Sequence, residues 1–209
     1  MRPPPSFHPS NKKNQLTPSA QPSPHRPTSL RAELSTFLTL FPHNTLLLAL
    51  SAWSQPLLPL LADPIRTALQ HALSQPSSSE EQEHHHRLAT RRFAIRHEAR
   101  VGTAHSVRAA FEAAVGDSPG SVELWTGHVR FCCGEGELWG RKAREVFYRA
   151  VGACPWAKEV YMLGFALARR GLLGAAELRG VVEAMVEKGV RVHVELDEFL
   201  GGWKGGGRR

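Results

Sequence analysis

This chain is poor in cysteine, in long apolar runs and, at both ends, in acids. Its three cysteines, Cys132, Cys133 and Cys154, form no C-x-x-C pair and are odd in number. That argues against a disulfide framework and fits a reducing compartment. No apolar run approaches the ~18 residues that a membrane-spanning helix needs, and Leu46 to Leu50 is the densest stretch. The first 30 residues hold eight prolines and no apolar core, so no secretory signal is expected there. The same prolines deny that stretch the amphipathic helix of a mitochondrial leader.

Acids are missing from residues 1–27, which carry Arg2, Lys12, Lys13 and Arg26, and from residues 201–209, which carry Lys204, Arg208 and Arg209. The 209-residue chain has a net charge of +7, yet residues 28–200 balance 19 basic against 19 acidic residues. The basic character, with a pI near 9.8, therefore belongs to the tails. Such tails help to retain a protein near nucleic acid but do not make a nucleic-acid-binding fold.

What is present is a repeat. Residues 107–131 and 143–167 align at a spacing of 36 and share Arg108/Arg144, Phe111/Phe147, Ala114/Ala150, Val115/Val151, Gly116/Gly152, Pro119/Pro155 and Glu123/Glu159. Trp125 falls opposite Tyr161. A period between about 20 and 50 residues signals a stacked array, each unit being too small to bury its apolar face alone.

Helical periodicity supports this reading. Residues 1–27, rich in Pro, Ser, Asn and Gln, are expected to be a disordered tail, and 201–209 a Gly/Arg-rich one. Between them, 28–200 reads as one all-α domain: an α-solenoid of antiparallel helix hairpins in a right-handed stack. Helices are expected at about 30–41, 45–53 after an Asn44 cap, 64–73 after an Asp63 cap, 87–101, 103–115, 120–132, 138–151, 157–169 and 174–188. The polar run SQPSSSEEQEHHH at 74–86 is expected to be a loop insertion. Val190 to Val194 reads as a short extended piece and Glu195 to Leu200 as a last helical turn. Gly102, Gly116, Gly152, Gly171 and Gly189 fall where left-handed helix ends are expected. Phe111, Trp125, Phe147 and Tyr161 are expected between layers, with Pro119 and Pro155 at the crossings between helices. Trp53, Trp139 and Trp156 read as further packing residues.

The order of an aromatic, then R-x-x-[FY]-x-x-A, then proline resembles the half-a-TPR (HAT) repeat. Blocks at 37–53, 91–115, 122–132, 143–165 and 185–199 further resemble, in order and spacing, the C-terminal end of the nuclear-RNAi-defective ("necessary for RNA interference") family of HAT-repeat proteins. ACPWAKEVYM and the closing VEKGVRVHVELDEF are its most specific parts. The resemblance implies a nuclear, non-enzymatic scaffold in RNA silencing and RNA surveillance, working with nuclear RNA-processing or silencing proteins. It also implies an exosome-associated RNA helicase as a partner in some lineages, through a segment ahead of the HAT array. Only a 27-residue Pro-rich stretch stands there in this chain, so the contact is carried over to no residue. The first helix is then expected to lack a neighbour and to expose Leu34, Phe37 and Phe41. The array from about 87 to 200 is expected to fold by itself, with the helices before 74 less protected.

Arg92, Arg96 and Arg100 are the candidate partner or RNA surface, one face of a basic helix over 87–108 in which Glu98 is the only acid. The competing reading is a solvated face paired with acids of the next hairpin. His84, His85 and His86 lack partners at metal-ligand spacing and read as a solvated tract. Cys132 and Cys154 read as small packing residues, and His193 near Glu195 and Asp197 as part of a chain-end cap. GEGELWG at 134–140 lacks the lysine and the strand of a phosphate loop. No catalytic set, cofactor or metal is expected. Direct RNA binding through 87–108 is the alternative function.

Overall fold

A computed structural model of the chain describes residues 27–55, 63–75, 80–134 and 137–190. These residues are all-helical: α1 (Pro27–Leu40), α2 (Thr45–Ser54), α3 (Pro64–Ser74), α4 (Glu80–Val101), α5 (Ala104–Asp117), α6 (Val122–Gly134), α7 (Glu137–Ala153), α8 (Lys158–Arg169) and α9 (Ala175–Glu187). Each helix packs on the next in sequence, and α2–α4 and α6–α8 also touch across one helix. This arrangement is compatible with an α-solenoid. Pro27, expected in the tail, begins α1; residues 1–26, 201–209, the rest of the extended piece expected at Val190 to Val194 and the last turn to Leu200 fall outside the described residues. None of the described helices is long and apolar enough to cross a membrane.

Local chemistry sets the helix ends. The Asn44 side chain accepts from the N–H groups of Leu46 and Leu47 at 3.0 and 3.1 Å. Asp63 accepts from Ile65 and Arg66 at 2.9 and 3.4 Å, with Pro64 in the first turn, where its missing N–H costs nothing. Thr103 and Ser106 cap α5 reciprocally at 3.2 and 2.9 Å. Gly171 (φ +70°) and Gly189 (φ +74°) take the left-handed conformation that ends α8 and α9. Gly116 and Gly152 instead lie inside helices that run on to Asp117 and Ala153, and Gly102 has no positive φ.

The expected loop at 74–86 is also corrected. Glu80 to His86 form the first turns of α4, and an Arg87–Glu83 pair at 2.7 Å, four residues apart, bridges the helix where the loop was expected to end.

The apolar core is divided. One large cluster runs from Ala114 through α6, α7 and α8 to Met185, with Phe147, Tyr161, Leu167 and Leu178 at its centre. A small one joins Leu38, Leu48, Ile65 and Leu69. Helix α4 lies between them, turning Leu88 and Ile95 to the large cluster and Phe93 and Ala94 to the small one. Phe37 of α1 and Phe41 just after it are exposed, but Leu34 is buried, contrary to the expectation for a helix without a neighbour. Trp53 and Trp156 are also exposed, at 78% and 63%, and are not packing residues; the Trp139 side chain lies outside the described atoms.

Candidate functional site

The 36-residue spacing is physically repeated in two turns. After α5, Ser118 N–H donates to Ala114 and Ser121 N–H to Ser118, at 3.0 and 3.1 Å. After α7, Cys154 N–H donates to Ala150 and Ala157 N–H to Cys154, at 2.8 and 3.0 Å. Trp125 Nε1–H reaches back to the Pro119 carbonyl at 2.7 Å, and the Tyr161 hydroxyl to the Pro155 carbonyl at 3.1 Å. Each proline thus offers a carbonyl that ties its turn to the aromatic ring six residues on. Phe111 and Phe147 are buried against Gly127 and Gly164, where an added Cβ would lie 3.2 and 3.1 Å from the rings. Those glycines carry a packing role that residue type alone did not signal.

Ion pairs join the turns of the array. Arg149 donates twice to Glu112 at 2.9 Å and lies over the Trp125 ring at 5.3 Å, and its hydrogen bonds hold the Glu112 carboxyl below the usual carboxylate range. Arg144 pairs with Glu177 at 3.3 Å, and Arg170 donates to the Cys133 carbonyl at 2.6 Å.

Helix α4 carries the candidate arginines, and the structure divides them. Arg92 pairs with Glu123 of α6, and Arg91 with Asp117 of α5 at 2.6 Å. Arg96 and Arg100 are exposed and have no ion-pair partner among the described residues. Their neighbouring acids are already engaged. Glu98 accepts a two-pronged contact from Arg66 at 2.7 and 2.8 Å, which keeps its pKa low against its burial. Asp63 meets His97 Nε2 at 2.8 Å; burial alone would raise its pKa, but His97 and the α3 N–H groups bring it down.

Arg96 and Arg100 border a groove of about 390 Å³ between α2 and α4, whose other walls are Thr45, Leu46, Ala49, Ala52, Phe93 and His97. A second groove, of about 510 Å³, lies between α6 and α8 over Val129, Met162 and Leu163. Sequence periodicity could not supply either one, because each is made by helices that are not consecutive.

The remaining polar candidates have structural surroundings. His84, His85 and His86 are exposed on α4, and no cluster of three or more metal-ligating side chains occurs among the described residues. Cys132 and Cys154 are buried, and burial pushes the Cys154 thiol up, away from the thiolate that a nucleophile needs. His193 lies outside the described residues. His128 was not singled out by the sequence: it is buried, stacked on Phe111 at 5.1 Å, without a hydrogen-bond partner on either nitrogen, and burial lowers its pKa to about 4.

No protein-family model matches the chain. Over 100 residues it is 32% identical to "Nuclear exosome regulator NRDE2" of Mus musculus, a span covering 47% of this chain and 8% of that protein. It is 30% identical over the same length to the protein of that name from Homo sapiens, again matching 8% of it. The chain is thus similar to a small part of two nuclear exosome regulators, and it spans less than a tenth of either.

Proposed function

We propose that this chain is a HAT-type repeat module, built from antiparallel helix hairpins, that serves a non-enzymatic nuclear regulator of RNA surveillance and RNA silencing by holding partner proteins. The similarity to two nuclear exosome regulators carries this reading. The turns that recur at 36 residues support the repeat, since Trp125 and Tyr161 perform the same task at equivalent positions. The partners are nuclear RNA-processing or silencing proteins, with an exosome-associated RNA helicase among those the family resemblance implies. RNA joins the assembly through those proteins.

Direct RNA binding along 87–108 is the weaker reading. Neutralising several phosphates takes several free cations. Arg87, Arg91 and Arg92 are instead tied to Glu83, Asp117 and Glu123.

Affinity capture of the full chain from nuclear extract, with and without ribonuclease, tests the proposal. Exosome-associated proteins retained after ribonuclease are the expected result. Recovery of RNA alone, with every protein lost on digestion, would overturn it in favour of the RNA-binding reading.

A further inference from the structure

We propose that the groove between α2 and α4 is a docking site for an acidic, amphipathic peptide segment of a partner protein, with Arg96 and Arg100 as its anchoring charges. The inference rests on the scaffold reading above and gives it a place and a ligand chemistry.

Helix α2 presents two lanes at helical spacing. Thr45, Ala49 and Ala52 line the groove and leave room for incoming side chains. Leu46, which also lines the groove, continues into Leu50 and Trp53 beside it, the three being 68%, 44% and 78% exposed. Surface leucine and tryptophan in a continuous strip, beside a concave wall, make the kind of patch that marks a binding site. Phe93 closes the floor from α4, stacked on His97.

The charge is equally one-sided. Arg96 and Arg100 lie four residues apart, so their charges are offset by about 6 Å along α4. Asp63 is occupied by His97, and Glu98 by Arg66. The groove therefore has an apolar floor, two available guanidinium groups and no spare carboxylate among its lining residues. A segment with two or three apolar side chains and carboxylates about one helical turn apart matches it, because guanidinium and carboxylate pair with two-pronged geometry. Nucleic acid matches less well. Bases need open aromatic faces, whereas most of this floor is aliphatic and its one aromatic, Phe93, is partly buried against the small apolar cluster.

The test is selection of a random 16-residue peptide library, displayed on phage, against the full chain. Selected peptides and a 20-nucleotide oligouridylate are then measured by fluorescence anisotropy. The expected selection is rich in Asp and Glu beside Leu, Ile or Phe. Arg96→Glu with Arg100→Glu should weaken those peptides about tenfold or more. Ala49→Trp, which fills the groove without changing charge, should also abolish binding. Arg141→Glu with Lys188→Glu, an equal charge change elsewhere on the exposed surface, should leave it intact. Circular dichroism confirms that each variant keeps its helix content.

Selected peptides without acids, or affinity unmoved by the α4 and Ala49 variants, would overturn the proposal. So would failure to select any peptide. Oligouridylate binding that falls steeply with salt and is lost in the α4 variant, with no acidic peptide selected, would replace the peptide by RNA. The same α4 variant in nuclear-extract capture separates this failure from that of the scaffold reading. Partners retained by the variant leave the scaffold standing and remove the groove. No partner recovered by the wild-type chain removes the scaffold, while peptide selection still decides the groove.

Discussion

The two ends of this helical array are built from similar residues and packed to different depths. From α5 to α9 a continuous core encloses Phe147, Tyr161, Leu167, Leu178 and Met185 almost completely. From α1 to α3 the buried apolar residues are Leu34, Leu38, Leu48, Ile65, Leu69 and Ala72, four of them in one cluster, while Leu30, Phe37, Leu40, Phe41, Leu46, Leu50 and Trp53 face outward. Apolar content is therefore a poor guide to burial. What differs is whether a neighbouring helix lies on each face, which is how energy accumulates in an array of repeats. The N-terminal end leaves most of its large apolar side chains exposed, whereas the C-terminal end buries most of its own and exposes Tyr148, Trp156, Met162 and Val186.

The largest expected effect contrasts the two cores directly. Phe147→Ala removes a fully buried ring from the large cluster and should cost about 3–5 kcal/mol, read as a lower midpoint of global chemical unfolding. Leu48→Ala removes an equally buried side chain from the small cluster. Its cost, about 2–5 kcal/mol, should fall on α1–α3 and leave the global midpoint nearly unchanged. A matching fall in both midpoints would mean that the two cores unfold as one.

A smaller effect concerns His128. Its folded pKa is near 4 against 6.5 for the free side chain, because burial disfavours the charged ring. Between those values the unfolded chain binds the extra proton. Stability carried by the neutral ring is therefore complete above pH ~6.5 and is lost as pH falls toward 4, by up to roughly 3 kcal/mol. His128→Leu should flatten that dependence. It should also stabilise the protein by about 1–2 kcal/mol at pH 7, since neither ring nitrogen makes a hydrogen bond and Nε2 only approaches Glu112 at 4.0 Å. Equal pH dependence in the variant would locate the titration elsewhere.

The smallest effect tests the equivalence of the two repeats. Trp125→Phe and Tyr161→Phe each remove the donor that reaches a proline carbonyl six residues back. Each should cost about 1 kcal/mol through that hydrogen bond, with a further loss of packing area for the tryptophan. Tyr161→Phe without measurable cost would mean that its turn is held by the backbone alone.

Much of this fold was legible in the sequence, for reasons that can be named. Asn44, Asp63-Pro64 and Thr103 announce helix starts through chemistry that acts over two or three residues. The 36-residue spacing set the aromatic and proline positions. The start of α4 was missed because SSSEEQEHHH has no apolar period, although Glu83 and Arg87 are spaced to support a helix. Gly116 and Gly152 resemble helix ends but lie one residue before the ends of α5 and α7. Trp53 and Trp156 show that residue type does not fix burial.

The candidate surface was half legible. Its spacing on α4 was visible, but the pairing of Arg92 with Glu123 and the freedom of Arg96 and Arg100 depend on which helices lie opposite. Those partners are long-range: Arg92–Glu123, Arg66–Glu98, Arg144–Glu177 and Arg149–Glu112 are separated by 31, 32, 33 and 37 residues. That is about one repeat, so repeat-spaced opposite charges are the signal from which such pairs can be sought.

Hydrogen exchange on the full chain, followed by mass spectrometry at peptide resolution, tests the unequal-core account most directly. The account predicts that α6, α7 and α8 exchange last and together, through global unfolding, with α1–α3 opening separately and ~100-fold or more faster. Equal protection of α1–α3 and α6–α8, lost in a single step, would contradict it.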